Sequence, residues 1–150
     1  MRVNFNLNGT DVSFEVRPDQ YLSEALRENG ILSIKVGCNG SACGTCTVLV
    51  DMKPVLSCSL LAAKVEGKKV LTVEGIQEEA KKVADHFADE GADQCSYCGA
   101  GFAMILYALK HEYKNPSEEQ IKDYIVGNLC RCSGYQSQLK AIKAYLAEEK

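Results

Sequence analysis

Gly37-Cys38-Asn39-Gly40-Ser41-Ala42-Cys43-Gly44-Thr45-Cys46 puts three thiols on one short loop, with Gly37, Gly40 and Gly44 beside and between them. Glycine lets the backbone take positive φ and come close to a neighbour. Such a loop can wrap a bound inorganic centre and aim its N–H groups at sulfur, which stabilises negative charge there. It needs regular structure on either side. Downstream, Thr47–Val50 reads as a strand, and a further short strand is expected near residues 70–73. Upstream, Val3, Phe5 and Leu7 alternate with polar residues, and Val12, Phe14 and Val16 do the same after Asn8-Gly9. Two period-two runs around Asn-Gly signal a β-hairpin. Residues 19–29 carry Leu22, Ala25 and Leu26 on one helical face, with Gly30 as the stop. Hairpins around one helix define a small α+β domain.

Beyond Gly75 the apolar period changes from two to 3.6, so the chain divides into residues 1–75 and 76–150. Ile76, Ala80, Val83, Ala84 and Phe87 form a first helical stripe, and Glu78 stands four residues before Lys82. Phe102, Ile105, Leu106 and Leu109 form a second, widened by Ala103, Met104 and Tyr107 into a helix apolar almost all round, suited to the centre of a bundle. Pro116-Ser117 with Gln120 is a capping box for a third helix bearing Ile121, Tyr124 and Ile125. Tyr135, Leu139, Ile142 and Leu146 line a fourth. Four short amphipathic helices bury one another's faces as a four-helix bundle.

The chain has eight cysteines and a net charge of −3. That charge leaves no basic footprint for nucleic acid. The alternating N-terminus lacks the apolar core of a signal peptide, and no apolar run is long enough to span a bilayer. A cytoplasmic, reducing compartment is therefore expected, where clustered cysteines mean metal or redox chemistry instead of disulfides.

The cysteines fall into two sets of four. Cys38, Cys43, Cys46 and Cys58 open with C-x4-C-x2-C, the plant-type [2Fe–2S] spacing, whose fourth thiolate arrives later in the chain. A zinc site would ordinarily use two closely spaced cysteine pairs, and here only Cys43 and Cys46 form one. Cys95, Cys98, Cys130 and Cys132 give C-x2-C and then C-x-C. Cys98 is placed to open the second helix of this half, while Cys130 and Cys132 follow the third, so helix ends converge and one offers free N–H donors. Taken alone, this spacing leaves zinc or thiol redox chemistry at Cys95 and Cys98 open; the iron–sulfur loop next door favours a second cluster.

At these residues the chain resembles the iron–sulfur subunits and domains of the xanthine oxidase type of molybdenum hydroxylase. The loop from Gly37 to Cys46, continuing into Thr47-Val48, is similar to that family's first cluster loop, and Pro54-Val55-Leu56-Ser57-Cys58 to its fourth-ligand segment. Gln94-Cys95-Ser96-Tyr97-Cys98 resembles the opening of its second motif, and Gly127-Asn128-Leu129-Cys130-Arg131-Cys132-Ser133-Gly134-Tyr135 its most specific signature. The likeness runs in order over residues 4–146. It implies an N-terminal ferredoxin-like β-grasp domain and a C-terminal four-helix domain, with one [2Fe–2S] cluster in each. It implies electron transfer from a molybdenum–pterin centre on a large partner subunit, through the helical-domain cluster and then the ferredoxin-type cluster, usually to FAD. Substrate never touches this subunit in the family. By the same likeness Gln94 and Cys132 lie beside the pterin. The chain has no Gly-rich dinucleotide fingerprint, so molybdopterin and FAD are expected on other chains. Three features depart from the family pattern. Ser96 stands where glycine is usual. Gly99-Ala100-Gly101 replaces Thr-Pro-Gly, which puts two glycines in the first helical turn. The linker over residues 75–94 is short and lacks the customary His-Pro pair.

Other residues read more plainly. His86 and His111 stand alone on polar helix faces, Tyr97 and Tyr135 read as packing residues, and Lys81-Lys82 and Glu148-Glu149 as solvated helix faces. Arg131, between two thiolates, suits either a raised cluster potential or a surface or partner contact. The competing functions are a free-standing two-cluster electron carrier and a zinc-stabilised interaction module.

Overall fold

The computed structural model describes residues 1–148, so Glu149 lies outside the described residues. Strands β1 (Arg2–Leu7) and β2 (Thr10–Glu15) pair antiparallel with Val3 opposite Phe14 and Phe5 opposite Val12. The turn between them holds Asn8 at φ 52° and Gly9 at φ 88°, both positive as a two-residue turn of matching twist requires. This register puts Val3, Phe5, Leu7 and Phe14 on the buried face, and the Phe5 and Phe14 rings meet edge-on at 5.0 Å. Each such apolar side chain contributes roughly 1.5–3 kcal/mol by leaving water.

Helix α1 spans Leu22–Glu28 and buries Leu22, Ala25 and Leu26. It begins later than the apolar spacing suggested because Tyr21 is extended and bridges to Leu61. Strands β3 (Thr47–Val50), β4 (Lys53–Leu56) and β5 (Lys69–Leu71) complete one sheet in the order β2-β1-β5-β3-β4. β1 and β5 run parallel, and the other neighbours antiparallel. β5 stops at Leu71, and Val73–Gly75 turns as a short 3-10 helix.

The second half supplies α2 (Gln77–Asp89), α3 (Gly99–Glu112), α4 (Glu118–Ile125) and α5 (Gln136–Ala147). The capping box at the start of α4 is present: Gln120 N–H donates to Ser117 Oγ, and Ser117 N–H to Gln120 Oε1. Phe87, Phe102, Leu106, Leu109, Ile121, Ile125, Ile142 and Tyr145 make the helical core. A separate core of β-sheet and α1 residues fills the first half. Between them Leu49, Ile76, Met104 and Ala108 form a third cluster. The breadth of the α3 apolar surface therefore serves two cores: one side packs on the helices and the other on β3, whose four residues are all buried. Among the described residues, no helix is long and apolar enough to cross a membrane.

Candidate metal centres

All eight cysteines are free thiols, and each set comes from two segments of the chain. In the first, Cys43 and Cys46 are buried and Cys38 and Cys58 half-buried. Ala42 N–H donates to Cys38 Sγ at 3.3 Å. The N–H groups of Ala42, Gly40 and Cys43, with the Cys43 thiol, bring the Cys38 thiol down to about 6. Burial pushes Cys46 up to about 11, and the adjoining Cys58 thiol adds to this. Cys38 thus stands with Cys43, and Cys46 with Cys58. Ser57 fastens the Cys58 segment, its N–H and hydroxyl both donating to the Cys46 carbonyl at 3.3 and 2.6 Å. A Cβ at Gly37 would crowd this set, lying 3.0 Å from Cys43 Sγ.

In the second set Cys95 and Cys132 are exposed, their Sγ atoms 3.4 Å apart, and Cys98 and Cys130 are half-buried. Tyr97 N–H and the Cys132 thiol lower the Cys95 pKa, and that of Cys132 is raised by Cys95 in turn. Burial pushes Cys98 up to about 12, helped by the charge and thiol of Cys130. Burial opposes ionisation of Cys130 too, but the Ser133 hydroxyl and the N–H groups of Cys132 and Ser133 bring it to about 7. The pairs are Cys95 with Cys132 and Cys98 with Cys130, each joining the loop before α3 to the loop before α5. Cys98 stands at the N-cap position of α3, so the first helical turn lies beside this set; its Gly99 N–H donates to the Ser96 carbonyl at 3.1 Å. Among the described residues, no three His, Cys, Asp or Glu side chains gather on one metal-ion position.

The two loops touch. Leu129 N–H donates to the Cys43 carbonyl at 2.8 Å, and the Tyr97 hydroxyl to the Val36 carbonyl at 2.8 Å. Lys35 Nζ lies over the Tyr97 ring, 5.1 Å from its centroid. Asn128, fully buried, sits where the segments meet: its amide donates to the Gly44 carbonyl at 2.9 Å and accepts from Phe102 N–H at 3.3 Å.

Gln94 and Arg131 are exposed beside the second set. His86 is partly buried and faces Glu148 at 2.9 Å; His111 is exposed and bonds the Tyr107 carbonyl. Tyr135 does more than pack: its hydroxyl accepts from Cys130 N–H at 2.8 Å and donates to the Asn128 carbonyl at 3.3 Å. Sequence reading did not single out Asn128 or Gln138 for any role. Gln138 is fully buried, donates to Ser133 Oγ, and leaves its Oε1 without a partner, a cost of about 1–3 kcal/mol. Neither residue had a signal of its own, because an amide in a loop or first helical turn ordinarily faces water.

Known proteins share this fold. The family described as "2Fe-2S iron-sulfur cluster binding domain" matches residues 5–72, and that described as "[2Fe-2S] binding domain" matches residues 72–143. The chain therefore carries two [2Fe–2S]-binding domains. It is 38% identical to the nicotinate dehydrogenase small FeS subunit of Eubacterium barkeri, over 89% of this chain and 87% of that one. It is 41% identical to the xanthine dehydrogenase iron-sulfur-binding subunit of Escherichia coli, again over 89% and 87%. The crystal structure of quinoline 2-oxidoreductase from Pseudomonas putida 86 superposes with a TM-score of 0.89 at 38% identity, covering 99% of this chain and 94% of that one. The chain belongs to the iron–sulfur subunits of the xanthine oxidase family, the electron-transfer subunits of molybdenum hydroxylases.

Proposed function

We propose that this chain is the non-catalytic relay of a molybdenum-dependent oxidoreductase, set between a large molybdopterin-binding subunit and FAD or another acceptor. The observation that carries this reading is the pairing of the thiols. A two-iron rhomb takes two thiolates on each iron, and the donor set fits that need twice. Cys38 with Cys43 would hold one iron and Cys46 with Cys58 the other; Cys95 with Cys132 and Cys98 with Cys130 would do the same in the second half. When bound, each cluster accepts and returns one electron. The chain's own part is to hold the thiols, aim N–H groups such as that of Ala42 at sulfur, and keep the two loops in contact.

On this reading residues 1–75 are a β-grasp domain and residues 76–150 a four-helix bundle. Gln94 and Cys132, both exposed, face the pterin of the large subunit. Eight free thiols suit the reducing cytoplasm. Isolation of the native assembly tests the proposal. The expected content is about four iron and about four acid-labile sulfides per chain, with molybdenum and flavin on co-purifying chains. Stoichiometric zinc, or a lone chain that reduces and reoxidises in cell extract with no large partner bound, would overturn it.

A further inference from the structure

Gln138 lies in the first turn of α5 and is fully buried, next to the Ala141 and Ile142 core positions. A residue three places into a helix commonly reaches back to cap its start. Gln138 does not: Tyr135, the residue before the helix, sits at φ 70° and makes no side-chain cap bond. The Gln138 side chain runs towards the helix N-terminus, as helical side chains do, and its Nε2 donates to Ser133 Oγ. Ser133 Oγ is in turn 3.5 Å from Cys130 Sγ.

The polarity of this chain follows from the inventory of donors. An amide NH2 has no lone pair to accept with, so Ser133 must accept from Gln138, which leaves the hydroxyl proton of Ser133 free. A ligating thiolate can only accept, so that proton goes to the Cys130 sulfur. The sequence Gln138 N–H, Ser133 O–H, Cys130 S therefore runs one way, each bond polarising the next towards the anion. The fold gains little from Gln138. Its Oε1 is the buried side-chain atom left without a partner among the described residues, and an apolar side chain of the same length would fill the space without that cost.

We propose that Gln138 is a positioning residue which, through Ser133, directs a hydrogen bond onto the Cys130 sulfur and raises the reduction potential of the second cluster. The physical cause is that a hydrogen bond to a cluster sulfur stabilises the extra negative charge of the reduced state. The inference rests on the reading that Cys130 is a ligand. A wild-type chain lacking two iron–sulfur signals would refute that reading; the comparison of variants refutes the inference alone.

The test uses the full chain with both clusters bound, in three variants: Gln138→Met, Ser133→Ala and the double change. Potentiometric titration followed by paramagnetic resonance reads each cluster separately, and thermal unfolding reads stability. Gln138→Met should retain both signals, match or exceed the wild-type Tm, and shift to lower potential only the signal that Cys98→Ala abolishes. Ser133→Ala should shift the same signal in the same direction, at least as far. The double variant should shift it no further than Ser133→Ala, because Gln138 acts through Ser133. Unchanged potentials in Gln138→Met, or a double shift equal to the sum of the singles, would overturn the proposal. If Gln138→Met fails to fold, Gln138→Leu takes its place; loss of iron from both would assign Gln138 to structure and also overturn it.

Discussion

Gly101 stands in the first turn of α3, where alanine still has the better helix propensity, by up to about 1 kcal/mol. Here a Cβ would lie 2.4 Å from the Asn128 side chain and 2.6 Å from the Gly44 carbonyl. Overpacking of this kind costs about 1–3 kcal/mol, enough to outweigh the gain in propensity. Gly101→Ala should therefore lower the denaturant midpoint of the full chain, and a midpoint at or above wild type would show that the neighbours yield. Ser96 is the reverse case. It sits at φ 56°, a region that costs a non-glycine residue roughly 1–2 kcal/mol, and its hydroxyl bonds Asp93. The family resemblance marked Ser96 as a departure, and the backbone angle supplies the reason glycine is usual there. At this scale the ligand candidates were legible because thiol spacing is itself the chemistry. Asn128 and Gln138 were not, since nothing local distinguishes a buried amide from a solvated one.

Among the elements, the hairpin, β3 and all four helices of the second half were legible from period and caps. β4 was not anticipated, because Pro54 argues against a strand unless it lies at an edge, as this one does. The ties between helices were also hidden. Glu79 on α2 meets Lys110 on α3 at 2.9 Å, the Tyr145 hydroxyl on α5 at 2.7 Å and Lys82 at 3.1 Å. Partial burial works against its charge, yet these donors hold the Glu79 carboxyl down to about 2 from an ordinary 4.5. A carboxyl whose folded pKa is depressed contributes stability that is complete above its unfolded pKa and is lost as pH falls through the folded one. The contribution of Glu79 is thus present above about 4.5 and fades as pH drops towards about 2. Thermal unfolding of Glu79→Gln against pH should show a lower Tm near neutrality and a gap to wild type that narrows below pH 4.5. Acid loss of the clusters is common to both proteins, so the narrowing isolates Glu79. A constant gap would remove the carboxylate from the account.

The whole molecule has two cores, each behind its own cysteine set, and a small apolar seam between them. The change of period at Gly75 suggested two halves but not how closely they are joined. That closeness arises from contacts far apart in sequence: the Leu129–Cys43 backbone bond, the Tyr97–Val36 bond, and Asn128 against Gly44 and Gly101. Contact between the loops raises the question of whether losing one cluster would carry the other with it. The bonds across the seam do not run through a thiol. Leu129 donates to the Cys43 carbonyl and not to its thiol, so Cys43→Ala keeps the link while removing one ligand. Cys98→Ala likewise spares the Phe102 N–H that Asn128 accepts from. Each set also packs on its own core, Cys46 and Cys58 on the first and Cys98 and Cys130 on the second. Cys43→Ala should therefore abolish one paramagnetic signal of the reduced chain and Cys98→Ala the other, each variant retaining about two of the four irons. The surviving signal should be changed in shape, having lost a paramagnetic neighbour, but not in amount. If either substitution removed both signals while circular dichroism showed the chain still folded, the two centres would be one cooperative unit, and the division into separate cluster domains would have to be abandoned.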